Sequence, residues 1–384
     1  MSEARINRIS NELGTGGPIV SGITTFSNVN YFVPPRGTTA ERPSNCPPGS
    51  IRFNTDGAHL EYFDGLQWLE MEAFNNELGV NGALGNRGLF GGGYTPTRTN
   101  TIDYITISTL GNALDFGDLT DVRSGLAACS SSTRGLFAGG HSSSVLTDTI
   151  YFLTFSSTGN TSSFGTLTAG TNRFFQGCSN ATRGLFGGGQ GPGYSYRNNI
   201  EYVTIASAGN SVDFGDLMNA ANLAASLASS TRGIWTGGYN NPSANLINYV
   251  TISTTGNAVY FGDLSALRYS VSGCSNATRG LFGGGVYPSP VGTLNIIDYI
   301  TIASTGNAQD FGDLTVRRNS NASCSSPTRG VWAGGYNPAT PTNADNTIDY
   351  VTIASTGNAI DFGDLPTFSV RGYFAGLSNG HGGL

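Results

Sequence analysis

Thr328-Arg329-Gly330-Val331-Trp332-Ala333-Gly334-Gly335-Tyr336 recurs in near-copies through most of the 384-residue chain. Counted from the arginine, the copies are Arg87-Gly88-Leu89-Phe90, Arg134-Gly135-Leu136-Phe137, Arg183-Gly184-Leu185-Phe186, Arg232-Gly233-Ile234-Trp235 and Arg279-Gly280-Leu281-Phe282. Successive arginines lie 47, 49, 49, 47 and 50 residues apart.

A period of that size in a glycine-rich, aromatic-rich chain predicts an all-β fold, a β-propeller with one blade per repeat. Each repeat reads as four strands. In the copy around Arg279 these are 270–275 (a), 280–284 (b), 296–302 (c) and 307–314 (d). Strand c alternates apolar and polar residues, as a strand packed between sheets does. The c-to-d turn is always Gly-Asn, from Gly111-Asn112 to Gly357-Asn358, and both residue types tolerate the positive φ of tight hairpins. Six b-c-d sets begin at Arg87, but only five a strands lie between them. The sixth is expected at the C-terminus, where Ser378-Asn379-Gly380 echoes Ser275-Asn276-Ala277. The expected fold is therefore a six-bladed propeller over 87–384, closed by the C-terminal strand, because an open ring would expose two sheet edges.

Composition agrees. The chain has 56 Gly, 17 Tyr and 21 Phe, and only 11 % charged residues, unlike a disordered chain, which lacks aromatics. The net charge is -6 and all 19 basic residues are Arg. No basic stripe points to nucleic acid, and no run approaches a membrane span. Four of the five Cys, at 129, 178, 274 and 324, precede a repeat Arg by five residues. Such rotationally related positions are too far apart to bridge, so unpaired thiols and a reducing compartment are expected. Asn180-Ala181-Thr182 and Asn276-Ala277-Thr278 match glycosylation sequons but read as turns.

Ahead of the repeats, 1–35 reads as an extended arm whose apolar residues, such as Ile23, Phe26 and Phe32, call for a partner. Residues 36–70 form a small β-hairpin module around Asp56-Gly57 and Asp64-Gly65, and 71–86 a linker.

Strand b ending in Gly-Gly, the aromatics Tyr104, Tyr202, Tyr249, Tyr299 and Tyr350, and the strand order together resemble the kelch-type propellers, over roughly residues 87–384. Strand d departs from that family, with Phe-Gly-Asp-Leu (Phe116, Phe214, Phe261, Phe311, Phe362) where Trp is usual. The wording of 346–359 is similar to repeat proteins of marine tailed bacteriophages, cyanophages among them. Residues 37–56 and 60–68 resemble a module of phage tail-fibre and other virion proteins. These resemblances imply a virion structural or adhesion protein made in the host cytoplasm, attached to other virion proteins through residues 1–70. Oligomerisation on the particle stays open.

Chemistry is not expected. His59, His141 and His381 share no repeated partner or metal-ligand spacing, and the glycine runs lack the lysine of a phosphate loop. No enzyme activity, cofactor or metal is anticipated. Asp103, Asp298 and Asp349, with Glu201 and Asn248, recur at one position and read as turn or strand-edge partners.

The b-to-c loops, at 94–101, 141–149, 190–199, 239–246, 286–296 and 336–347, vary while the other turns do not. Variation on one face of a rigid scaffold suits recognition. Tyr94, Arg98, Tyr194, Tyr196, Arg197, Tyr239, Tyr287 and Tyr336 are the candidate contacts to a host glycan or protein. The other readings are a capsid or neck decoration without a receptor and a bacterial carbohydrate-binding or enzymatic propeller. Arg87, Arg134, Arg183, Arg232, Arg279 and Arg329 are expected to bond turn carbonyls as a structural ring, against the alternative of an anion site.

Overall fold

The computed structural model describes residues 34–57, 59–71, 86–94, 96–143, 145–239, 245–288, 292–339, 344–366 and 371–384. The chain divides into two compact units, Met1–Asn75 and Asn76–Leu384. Apart from residues 34 and 35, the expected arm lies outside the described residues. So does the linker, apart from residues 71 and 86.

In the first unit, strands Ile51–Asn54, His59–Phe63 and Trp68–Glu70 pair antiparallel, and Arg36–Gly37 adds a parallel edge. Trp68–Glu70 follows the expected Asp64-Gly65 turn, and Arg36–Gly37 is a strand that the sequence reading did not place. Alternation along the sheet is inverted. Arg52, Asn54 and Glu61 are buried on one face, where Arg42 meets Glu61 at 2.6 Å and Asn54 donates to it at 3.2 Å. The Arg42 bond holds the Glu61 carboxyl below its usual range despite burial. Ile51 and Tyr62, directly paired, and Leu60 leave the other face apolar and exposed, Ile51 by 50 %.

The second unit is all-β. Among the described residues it contains six four-stranded antiparallel sheets in sequence order a-b-c-d. Sheet 1 takes its b, c and d strands from Arg87–Gly91, Thr99–Thr106 and Leu114–Arg123, and its a strand from Ala375–Ser378. Sheets 2 to 6 begin at Ala127, Gln176, Asn222, Ser272 and Ala322. The a strands touch in the order of sheets 1 to 6, and the a strand of sheet 6 also touches that of sheet 1. Strand ends differ slightly from expectation; a in sheet 5 is Ser272–Ser275 and d is Gln309–Asp313.

The hydrophobic core is divided. Six clusters form, each from two neighbouring sheets, including one that joins Val331 and Phe362 of sheet 6 to Phe90 and Ile105 of sheet 1. The repeated motifs follow from that packing. In Phe-Gly-Asp, strand d bulges, so that Gly312 faces Ile297 and Asp310 faces Asp298, leaving Phe311 to turn into the core. The glycine after each repeat Arg makes room for the preceding sheet's a-strand side chain: a Cβ on Gly280 would lie 2.6 Å from Leu227, and one on Gly330 2.9 Å from Cys274 Sγ. Cys129, Cys178, Cys274 and Cys324 are unpaired and buried there, and burial pushes their thiols up.

The Gly-Asn turns do more than reverse the chain. Each glycine N–H donates to the strand-d phenylalanine carbonyl of the preceding sheet, as Gly159 does to Phe116 at 2.8 Å and Gly111 to Phe362 at 2.9 Å. Each asparagine Oδ1 accepts the next-but-one N–H of that strand at 2.9–3.1 Å, from Asp118 N to Asn160 through Asp364 N to Asn112. Positive φ is confined to the glycines, Gly111 at 148° for example. Asparagine recurs for its side-chain oxygen, not for its backbone tolerance.

The recurrent acids correct the sequence reading more fully. Asp103, Asp298 and Asp349 are neither in turns nor at an edge; they sit in strand c, fully buried. Each pairs with a buried arginine from the connector that leads into its own sheet: Arg371 at 2.9 Å, Arg268 at 2.9 Å and Arg318 at 2.5 Å. Ser265 Oγ and Thr315 Oγ1 also donate to Asp298 and Asp349 at 2.6 Å. In sheet 2 the strand-c position is Tyr151, and Arg123 stacks over it at 4.4 Å while bonding Asp121. In sheet 3 the connector residue is Asn172, and Glu201 instead accepts from Ala169 N and Ser211 Oγ. A buried charge is retained only with a partner.

Candidate functional site

The b-to-c loops and the d-to-a connectors share one face, as isolated bridges show: Tyr94 with Gly372, Ser124 with His141, Arg173 with Gln190, Tyr269 with Val286 and Asn319 with Tyr336. Asn222 pairs Tyr239 in the same way in sheet 4.

At the inner end of this face lies a closed hydrogen-bonded ring. The N–H of Gly125 donates to Tyr373 O, Phe174 to Gly125, Leu223 to Phe174, Ser270 to Leu223, Ser320 to Ser270 and Tyr373 to Ser320, all at 2.7–3.0 Å. All six hold a left-handed φ of 54–65°. Only one is glycine. For the rest the conformation costs roughly 1–2 kcal/mol each, and for residues as bulky as phenylalanine, leucine and tyrosine it is uncommon. These six residues line a small opening.

The eight candidates divide. Arg98 is spent on sheet 2: it donates to Ser124 Oγ at 3.1 Å and Ser143 O at 3.2 Å, and its guanidinium abuts His141 Nδ1. Arg197 donates to Ala169 O at 2.7 Å. Tyr336 reaches Tyr94 O at 3.3 Å, which ties sheet 6 to sheet 1. Tyr196 and Tyr239 come together, 6.4 Å between rings, and Tyr239 is 48 % exposed. Tyr194 is 73 % exposed, beside the Arg173 guanidinium. Tyr287 is half-buried in a two-stranded ribbon with Gly292.

Sequence reading missed the inner residues. Tyr269 stands 5.1 Å from Tyr239, Tyr373 5.2 Å from Tyr336, and Phe174 5.1 Å from Tyr373. Burial and the neighbouring Tyr239 and Tyr373 phenols raise the Tyr269 hydroxyl. The available signal was positional: Gly125, Phe174, Leu223, Ser270, Ser320 and Tyr373 occupy one repeat position yet share no chemistry, within a repeat whose other places are nearly fixed.

The opposite face is fastened. Each repeat Arg donates from Nη1 to the next sheet, just beyond its strand c: Arg87 to Phe155 O (2.9 Å), Arg134 to Ala206 O (2.6 Å), Arg183 to Ile252 O (2.9 Å), Arg232 to Ile302 O (2.7 Å), Arg279 to Ala354 O (2.9 Å) and Arg329 to Ile107 O (2.8 Å). Each guanidinium also covers the strand-c aromatic of its own sheet at 4.5–5.1 Å. Between the faces the a strands line a narrow channel. Ser130, Ser179, Ser275, Ser325 and Ser378 each donate Oγ to the preceding a strand. His381 folds into this channel, with Nε2 2.9 Å from Ser130 O, and Nδ1 accepts Gly383 N–H at 3.1 Å.

Among the described residues no group of three His, Cys, Asp or Glu could hold a metal ion, and no helix is long and apolar enough to cross a membrane. Comparison with protein-family models and with curated proteins finds no match to this chain.

Proposed function

We propose that this chain is a structural protein of a tailed-bacteriophage virion, a tail- or fibre-associated appendage rather than an enzyme. In this reading the six sheets are the blades of a kelch-like propeller closed by the C-terminal strand. Residues 1–70 attach to other virion proteins, and the propeller presents its variable face to a host-surface glycan or a protein partner. The observation that carries it is the asymmetry of the two faces. One is bonded sheet to sheet by the same arginine six times over, while the other keeps varied loops and exposed aromatics such as Tyr194 and Tyr239. The uncovered Ile51, Leu60 and Tyr62 face supports attachment through the first unit, since apolar sheet faces call for a covering partner.

A second reading, a capsid or neck decoration without a receptor, draws support from Arg98, Arg197 and Tyr336, which serve contacts within the propeller. Competition separates the two. Purified full-length chain, added to host cells before the phage that carries it, is expected to cut adsorption at least about tenfold. Unchanged adsorption favours decoration. Absence of the chain from purified particles, by peptide mass spectrometry, contradicts both.

A further inference from the structure

We propose that the opening ringed by the six left-handed residues is a binding site for a neutral pyranoside, which lays its C–H face on Phe174 and Tyr373 and turns its hydroxyls to Ser270 and Ser320. The proposal rests on the reading that this face recognises a ligand, and it names the class.

Three observations lead there. The cyclic bonds use backbone atoms only, so glycine at all six positions would keep the ring and relieve the strain. Five of the six positions carry a side chain nevertheless, and all six residues line the opening. Residues held in strained backbone conformations cluster where ligands bind. The exception fits as well: a Cβ on Gly125 would lie 2.7 Å from the Phe174 ring, so glycine leaves room for that ring to reach Tyr373.

The opening is also two-sided. Tyr373, Gly125, Phe174 and Leu223 are consecutive in the hydrogen-bonded ring and form an apolar arc; Ser270 and Ser320 form the other. A pyranoside has the same division, an apolar C–H face and a hydroxyl edge, and flat aromatics beside small hydroxyl groups match it.

Charge sets the class. No residue lining the opening is ionised at neutral pH. The neighbouring guanidiniums are engaged: Arg173, beside Phe174, donates twice to Gln190 Oε1, at 3.1 and 2.9 Å, and Arg371, beside Phe374, pairs with Asp103. The floor amides are consumed by the ring and offer no anion nest. A charged ligand would lose hydration without a partner, so a neutral sugar is favoured over an acidic one.

The test uses full-length chain and saturation-transfer-difference NMR with the methyl glycosides of glucose, galactose, mannose and rhamnose. Transfer to ring C–H protons of at least one is expected. Phe174→Gly and Tyr373→Gly are expected to weaken that binding by at least about tenfold while the thermal midpoint holds or rises, since glycine suits the backbone there. Val212→Thr, exposed on strand d of sheet 3, should leave it unchanged. No transfer from any of the four glycosides, or equal transfer in both inner variants, overturns the site. A marked fall in the midpoint of the inner variants assigns their rings to packing and overturns it too. The same proteins in the adsorption competition keep the two claims apart. If wild type competes and the inner variants compete equally, the face recognises its target elsewhere. If wild type fails to compete while sugar transfer is seen and lost in the variants, the site stands and the adsorption reading falls.

Discussion

Arg329 donates from Nη1 to the carbonyl of Ile107 at 2.8 Å, across 222 residues of sequence. This bond joins the sixth sheet to the first with the same geometry that Arg279 uses between the fifth and the sixth. Repetition of one local bond, six times and back to its start, makes the arrangement self-consistent.

Arg279→Met should therefore cost roughly 1–3 kcal/mol, chiefly the penalty of leaving the part-buried Ile353 carbonyl without its donor, the Ala354 carbonyl being open to water. Loss of the guanidinium over Tyr299 adds to it. Urea unfolding of the full chain measures this, and adsorption competition should be unaltered. Lost competition at unchanged stability would mean that the arginine ring is itself a ligand site.

The buried pairs give a sharper contrast. Arg318→Met strands Asp349 without a countercharge and should cost roughly 3–5 kcal/mol. The double variant Arg318→Met, Asp349→Leu should recover most of that, because an apolar pair needs no desolvation. Thermal melts of the three proteins decide it. A double variant as unstable as the single one would show that the pair does more than neutralise itself.

Much of this fold was legible in the sequence. The spacing of Arg-Gly-aromatic announced the repeats, and the echo of Ser275 at Ser378 pointed to the strand that completes sheet 1. What stayed hidden lies between repeats. Asn160 recurs because it accepts from Asp118 in the preceding sheet, but a pattern read along one repeat sees only a turn. Asp298 meets Arg268 thirty residues upstream, and only pairing the two positions across all repeats would have matched arginine with aspartate. Of the candidate site, the exposed tyrosines of the loops were legible. Phe174 and Tyr373 were not, since each stands one residue before a core position and looks like the beginning of a strand.

Asn321 offers a stabilising change. Its amide nitrogen and oxygen are buried without a hydrogen-bond partner, in the repeat position that holds Leu126, Phe175, Ala224, Val271 and Phe374 elsewhere. Asn321→Leu should raise stability by roughly 1–2 kcal/mol, by removing unsatisfied polar atoms and adding apolar burial. A lower midpoint in urea would indicate that the amide makes stabilising contacts there.

His381 predicts an acid-side weakness. Burial lowers its pKa from the ordinary 6.5, against the opposing pull of the Ser130 carbonyl bond. Folding thus favours the neutral ring. Its contribution is complete above the unfolded value near 6.5 and declines as pH falls through and below it, by at most about 1.4 kcal/mol per pH unit. Protonation would also place a proton on Nδ1, against the Gly383 N–H that it accepts. His381→Gln should flatten the pH dependence of the thermal midpoint between about 5 and 7. Identical slopes in the two proteins would exclude His381 as the titrating group.

Closure by the C-terminal strand is tested most directly by the thermal unfolding of a chain lacking residues 369–384, measured beside the full-length protein. Deletion removes the strand that pairs with Arg87–Gly91, the Arg371–Asp103 pair and the inner ring bonds of Tyr373. The expected result is a midpoint lower by more than about 10 °C, or no cooperative transition. A midpoint within about 2 °C of the full chain would contradict closure, and with it the six-bladed ring.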